Sequence, residues 1–187
     1  LSKYPYYDGE SGNFQKENDS IQYGNVMRFD VENHFLYSNN NIFGNHLKAK
    51  FRPFQYFYIQ GDYRELIEKN AITNNYSNLS LFQFNVAYDR IRFKKFNLGW
   101  TLGATYVGND VQKVGFSYGL HTDIFAIKNI SFNSAMLWSK INSLPVNSFE
   151  LRGKYHKKNY FFSLGYEHLK IASPNYNFVT LGTGIYF

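Results

Sequence analysis

Along residues 96–107, Phe96, Leu98, Trp100, Leu102, Ala104 and Tyr106 fall on one parity, and Asn97, Gly99, Thr101, Gly103 and Thr105 on the other. A period of two belongs to an extended strand whose two faces meet different surroundings. What constrains the fold is that this alternation keeps returning. Residues 26–37 set Met27, Phe29, Val31, Phe35 and Tyr37 against Arg28, Asp30, Glu32 and His34, and residues 46–53 set Leu47, Ala49 and Phe51 against His46, Lys48, Lys50 and Arg52. Further runs follow at 55–64, 82–89, 113–124, 130–140, 148–156, 160–169 and 177–187. The only competing helical spacing is the short stretch 63–70, which reads as a strand end running into a loop.

The residue types agree with extended structure. With 19 Phe and 17 Tyr in 187 residues, the apolar material is ring-rich, as suits a pleated, half-exposed surface. The chain length fits one domain. Cysteine is absent, which removes disulfides, thiolate metal sites and a cysteine nucleophile. No His-Glu-x-x-His segment and no Asp-rich calcium loop occurs, so neither a metal nor another cofactor is expected. The net charge of +6 would suit an acidic partner, but the basic residues form no recognition motif, and nucleic acid is not expected as a partner.

No apolar run reaches the roughly 18 residues of a membrane-spanning helix, and the mean hydropathy is −0.44. A membrane barrel gives the same average, because lipid-facing and lumen-facing residues alternate and cancel. Runs of roughly 9 to 11 residues, tilted near 45°, cross a hydrocarbon core, whereas soluble strands are usually nearer five or six. The first 20 residues lack the cationic start and apolar stretch of a signal peptide, so the chain reads as a mature or trimmed form.

The connections order the strands. Those around Pro53, Lys94 and Lys95, Lys128 and Asn129, and residues 157–159 are tight. Those at 38–45, 65–78, 108–112, 141–147 and 170–176 read as longer, rich in Asn and Ser. Strict alternation of short and long implies an up-and-down meander with turns at one rim and loops at the other. A Greek-key sandwich would scramble that order. An even strand count places both termini at the short-turn rim. The expected architecture is all-β: a transmembrane antiparallel up-and-down barrel of about ten strands, with eight or twelve as alternatives, over residues 26–187.

The last run, Phe178-Val179-Thr180-Leu181-Gly182-Thr183-Gly184-Ile185-Tyr186-Phe187, resembles the terminal strand of bacterial outer-membrane barrels, which alternates apolar residues and ends on an aromatic, most often Phe. Val179, Leu181, Ile185 and Phe187 match that pattern. The resemblance implies residence in a bacterial outer membrane with periplasmic termini. It also implies that these four residues serve recognition by the outer-membrane assembly machinery, and that outer-membrane lipid surrounds the wall. Lipid cannot hydrogen-bond a backbone, so the sheet must close.

Closure turns the charged parity into a lumen. In a simple hairpin register Asp30 falls near Arg52, Glu32 near Lys50 and His46 near Asp62. Gly99, Gly103, Gly119, Gly165, Gly182 and Gly184 suit a crowded interior where one missing side chain admits a large neighbour. About ten strands leave no generous channel once Arg, Lys and Tyr fill the space. Tyr37, Tyr63, Tyr88, Tyr106, Trp138 and Tyr155, near strand ends, match interfacial girdles.

One constellation could bear chemistry: His34, His46, Asp62, Glu150, Glu167 and His168, read as lying near the loop-bearing rim. An Asp and His pair can act as a general base, and His46 with Asp62 is the couple the register favours. Against this, no nucleophile motif and no His-x-Ser-Asn segment of the lipid deacylase type appears, and lumen charges ordinarily pair for structural reasons. Lys94, Lys95, Lys128, Lys157 and Lys158 gather at the short-turn rim, where they either contact phosphate headgroups or simply solvate that rim. Residues 1–25 are polar, contain glycine and lack sustained alternation, and read as an arm. Its Tyr4, Tyr6 and Tyr7 cluster offers the contact area to bind a partner.

Three functions compete. The first is a non-enzymatic barrel with a plugged lumen, a structural or accessory subunit bound to other outer-membrane subunits. The second is a rim-site outer-membrane hydrolase or lipid-modifying enzyme. The third is a soluble, lipocalin-like ligand binder, which requires rings inside and charges outside.

Overall fold

The computed structural model describes residues 27–39, 42–54, 56–69, 76–93, 95–109 and 111–187. They form ten strands: β1 (Arg28–Ser38), β2 (Ile42–Arg52), β3 (Phe57–Lys69), β4 (Tyr76–Phe93), β5 (Phe96–Val107), β6 (Lys113–Ile127), β7 (Ile130–Ile141), β8 (Leu144–Lys157), β9 (Tyr160–Ile171) and β10 (Asn175–Tyr186). Each pairs antiparallel with its neighbour in sequence, and β1 pairs with β10 to close the barrel. At the seam the Phe29 amide donates to the Phe187 carbonyl at 3.2 Å and the Phe187 amide to the Phe29 carbonyl at 2.8 Å. Closure leaves no edge strand among the described residues, as a low-dielectric surrounding demands.

Polarity decides which side of the wall is which. Leu181 is 64% and Phe84 59% exposed on the outside, while Arg64 is 1% and Arg152 0% exposed within. The largest fully buried side chains are Arg64, Arg152 and Lys48, the reverse of a soluble core. A lipocalin-like binder needs the opposite arrangement, so that alternative is excluded. Tyr37, Tyr63, Tyr106 and Trp138 lie outward toward one rim, and Tyr88 and Tyr155 toward the other. Tyr88 stacks obliquely on Phe57 at 4.6 Å and approaches Trp100 at 5.7 Å, which joins rings across β3, β4 and β5 on the turn side.

The connections differ from the expected contrast of long and short. Strands reach further toward the loop side than alternation alone indicates, so the segment expected as a loop at 141–147 shrinks to Asn142 and Ser143 between paired Ile141 and Leu144. Both central residues have positive φ, 50° and 66°, as the commonest two-residue hairpin turn requires. Similarly β2 begins at Ile42 instead of near His46, and β4 extends from Tyr76 to Phe93 with an irregularity between Asp89 and Ile91. The stretch 63–69 is strand throughout, paired with β4. The arm at residues 1–25, with Tyr4, Tyr6 and Tyr7, lies outside the described residues.

Candidate functional site: the enclosed ionic lumen

Register sets which charges meet. In β1 and β2, Asp30 pairs with Lys50 and Glu32 with Lys48, two residues away from the simple hairpin assumed above. A shift of two keeps every side chain on its face but changes its partner. Asp30 is therefore gripped by Arg28, with Nε at 2.6 Å and the terminal nitrogen at 2.5 Å, while Arg52 lies 2.7 Å from Asp89. Glu32 takes Lys154 at 2.8 and 2.9 Å and has Lys50 at 3.9 Å. The expected partnership of Asp30 with Arg52 is thus replaced, and that of Glu32 with Lys50 is a longer contact behind Lys154.

The centre of the lumen is a single network drawn from four strands, β2, β3, β8 and β9. Arg64 of β3 donates from Nε to Glu167 of β9 at 2.5 Å and from a terminal nitrogen to Glu150 of β8 at 2.5 Å. Arg152 of β8 lies 2.7 Å from Glu150 and 2.9 Å from Glu167. Lys48 Nζ donates to Glu150 at 2.6 Å and stands 3.5 Å from Asp62. His46 spans two carboxylates, with Nε2 2.9 Å from Asp62 and Nδ1 3.0 Å from Glu167. Buried charges in such a number persist only where each has an opposite partner. Here Arg28, Lys48, Lys50, Arg52, Arg64, Arg152 and Lys154 face Asp30, Glu32, Asp62, Asp89, Asp123, Glu150 and Glu167, so the formal charges cancel.

Apolar layers lie toward either end of this network. On the loop side, Leu36, Ile42, Leu66, Leu169 and Phe178 pack with Leu79 and Tyr176, beside a second group of Leu81, Val107, Ile141 and Val146. On the turn side, Phe125, Phe161 and Tyr186 cluster. Cations cover these rings: Arg28 lies 4.8 Å from the Tyr186 centroid, Lys154 4.4 Å from Phe161, and Arg52 4.4 Å from Tyr58. Interior glycines admit the bulk: a Cβ on Gly182 would strike the His34 ring, and one on Gly184 the Phe161 ring. An internal cavity of about 30 Å³, lined in part by Asp62, Gln83, Asn85, His121 and Glu150, has room for little more than a water molecule or two.

The couple His46 and Asp62 comes together, but not at a rim. His46 is 0% exposed, and both its ring nitrogens already face carboxylates, so neither is presented to a substrate. His34, Glu150 and Glu167 are likewise buried inside, whereas His168 sits partly exposed near the loop side and contacts Asn177 at 2.7 Å. The rim placement fails because β2 starts earlier than expected, which carries His46 down into the barrel. His46, Asp62 and Glu150 could in principle converge on a metal ion, yet the Lys48 ammonium stands between the two carboxylates where such an ion would go. A further set is connected in the order a nucleophile and its base require: Ser163 Oγ lies 3.1 Å from His34 Nδ1, and His34 Nε2 lies 3.2 Å from Glu32. Ser163 is 3% exposed, and Glu32 is engaged by Lys154, which makes this a packed link in the same network.

Sequence reasoning missed the central roles of Arg64, Arg152 and Lys154 and the two apolar layers. A signal was present for the layers. Apolar residues on both parities, as in Phe35-Leu36-Tyr37, Tyr160-Phe161-Phe162 and Ile185-Tyr186-Phe187, mark where the inward face also turns greasy. Val179, Leu181, Ile185 and Phe187 all lie on the outward parity of the closing strand and its end, and the Phe187 ring lies 6.3 Å from that of Phe29.

No protein-family model matches the chain, and no curated protein matches it. Among solved structures, the fold is similar to the COG4313 outer membrane channel from Pseudomonas putida F1, at 7% identity over 92% of this chain and 99% of that one, with a TM-score of 0.45. It is also similar to LpxR from Salmonella typhimurium, at 8% identity over 90% and 86% of the two chains, TM-score 0.46. A third is Ail, the attachment invasion locus protein of Yersinia pestis, at 12% identity over 86% and 96%, TM-score 0.37. By its own geometry the chain is a closed, ten-stranded, antiparallel up-and-down β-barrel with an apolar outer wall and an ionic lumen, the polarity that suits a lipid surrounding.

Proposed function

We propose that this barrel is a non-conducting, non-enzymatic component of the bacterial outer membrane that acts as a structural or accessory subunit, offering its rims and lipid-facing wall to other subunits. The observation that carries this reading is the filled lumen, where charge-balanced ion pairs from Glu32 to Glu167 lie between apolar layers. A conduit needs a continuous wet path, and a rim enzyme needs an acid or base that substrate can touch. The buried His46, Asp62, Arg64 and Arg152 favour neither. Both chain ends of the barrel meet beside the short turns, which supports a periplasmic orientation for that rim.

The experiment has two arms. Purified barrel reconstituted in planar bilayers is expected to give no conductance steps. Mild-detergent extraction is expected to bring down a partner that is lost when residues 1–25 are deleted or the turn-side lysines Lys95, Lys128, Lys157 and Lys158 are replaced. Reproducible channel openings, or a protein that stays alone under both conditions, would sink the reading.

A further inference from the structure

The lipid-facing wall is not uniformly covered by side chains. From β2 to β5 one cross-strand row runs Ala49, Gly61, Phe84, Ala104, all on the outward parity. The next row toward the loop side runs Leu47, Tyr63, Phe82, Tyr106, with Tyr63 and Phe82 rings 4.5 Å apart and Phe82 and Tyr106 6.1 Å apart. The small residues Ala49, Gly61 and Ala104 below these rings, with the exposed Phe84 ring rising between Gly61 and Ala104, leave a groove of about 440 Å³ in the outer wall. That is within the size range of ligand pockets, roughly 300–1,000 Å³.

Gly61 is the informative position. Nothing lies within 4 Å of where its Cβ would stand. Gly103, Gly119 and Gly165 are different, because a Cβ there would collide with neighbouring backbone or side chains. Those glycines face the lumen and make room for the chain itself, whereas Gly61 and Gly153 face outward and open onto the surroundings, and of these two Gly61 lines the groove. Glycine inside a strand weakens the strand, and an external group that approaches closely is one of the few reasons to keep it. Immediately beyond the rings, toward the loops, the outward parity turns polar: Asn45, Glu65 and Ser80 lie in register across β2, β3 and β4, and the Tyr63 hydroxyl donates to Glu65 at 3.4 Å.

We propose that this groove binds one acyl chain of a membrane amphiphile whose head group carries hydrogen-bond donors, with the chain lying over Ala49, Gly61 and Ala104 and the head at the row of Asn45, Glu65 and Ser80. An apolar slot that ends on a polar row containing a carboxylate matches a single lipid tail joined to a head group bearing an ammonium. Glu65 then selects an amine-bearing head group over an anionic one of equal chain length, by charge. The inference rests on the membrane residence proposed above.

Native mass spectrometry of the full chain, released from mild detergent after equilibration with phosphatidylethanolamine or phosphatidylglycerol of matched chains, tests it. Wild type is expected to keep one phosphatidylethanolamine. Gly61→Leu, and independently Ala49→Leu from the neighbouring strand, fill the groove and should lower retention about tenfold. Gly153→Leu, on the outward face of β8 across the barrel, should leave it unchanged, and Glu65→Gln should narrow the preference for phosphatidylethanolamine. Equal retention in wild type and both filled variants, or no adduct on wild type, overturns the groove, as does a bound polypeptide displaced by Gly61→Leu in place of lipid. Heat-modifiable migration on a detergent gel is read on the same samples. If it is lost in wild type, membrane residence itself fails, and if it is kept without lipid, only the groove fails.

Discussion

Arg64 and Glu167, 103 residues apart in sequence, meet inside the barrel with Nε 2.5 Å from the carboxylate, and the same carboxylate also holds Arg152 and His46. Glu167 is therefore the point on which strands β2, β3, β8 and β9 converge.

Removing that point leaves two buried guanidinium groups, Arg64 and Arg152, to share the single carboxylate of Glu150. Glu167→Ala is expected to destabilise the folded barrel by about 3–5 kcal/mol. Glu167→Gln, which keeps a hydrogen-bond acceptor without the charge, should cost less. Urea titration of the barrel in lipid vesicles, followed by Trp fluorescence, gives both values. Wild-type stability in Glu167→Ala would mean that the network does not hold the wall together.

The outer wall should reject charge according to depth. Leu181→Arg and Phe84→Arg, both well exposed in the apolar band, should each cost about 2–4 kcal/mol, while Lys170→Arg near the loop rim should be nearly neutral. The same vesicle titration measures the contrast. Equal tolerance at all three positions would show that lipid does not cover Leu181 and Phe84.

Three layers block the lumen, an apolar one at either end and the ionic network between them, so opening one should not suffice. Replacing Leu66, Leu169 and Phe178 together with Ser thins the loop-side apolar layer but leaves the ion pairs in place. Planar-bilayer recordings are expected to stay silent. Conductance should appear only when Arg64 and Arg152 are also shortened to Ala, with Glu150 and Glu167 changed to Gln so that no unpaired carboxylate remains, and when Phe125, Phe161 and Tyr186 of the turn-side layer are replaced with Ser as well. Openings in the Ser triple variant alone would place the barrier in the apolar layer.

If the four outward residues of the closing strand act in insertion, Phe187→Ser should lower the amount of assembled barrel in cells. The stability of barrel that does assemble should change by no more than about 1 kcal/mol, the scale of one surface ring contact such as that between Phe187 and Phe29. Quantifying heat-modifiable barrel in outer-membrane fractions, beside in vitro urea curves, separates the two. Unchanged assembly with a large stability loss would make Phe187 a structural clasp instead.

Period-two patterning is a local property, and so the sequence alone was enough to determine that strands such as β5 exist, which parity is greasy, and that a closed sheet gives each parity its own side. For β5 even the bounds, residues 96–107, were legible, because its polar parity is all Asn, Gly and Thr until Val107. Register was not legible, since a shift of two residues conserves every face and is settled only by turn geometry at the far end of each hairpin, as Asn142 and Ser143 illustrate. The tertiary structure alone could therefore decide that Arg52 meets Asp89, that His46 lies between Asp62 and Glu167 deep within the lumen, and that Arg64 reaches Glu167. Those meetings join strands distant in the chain, and no short stretch of sequence records which residue will stand across an enclosed lumen.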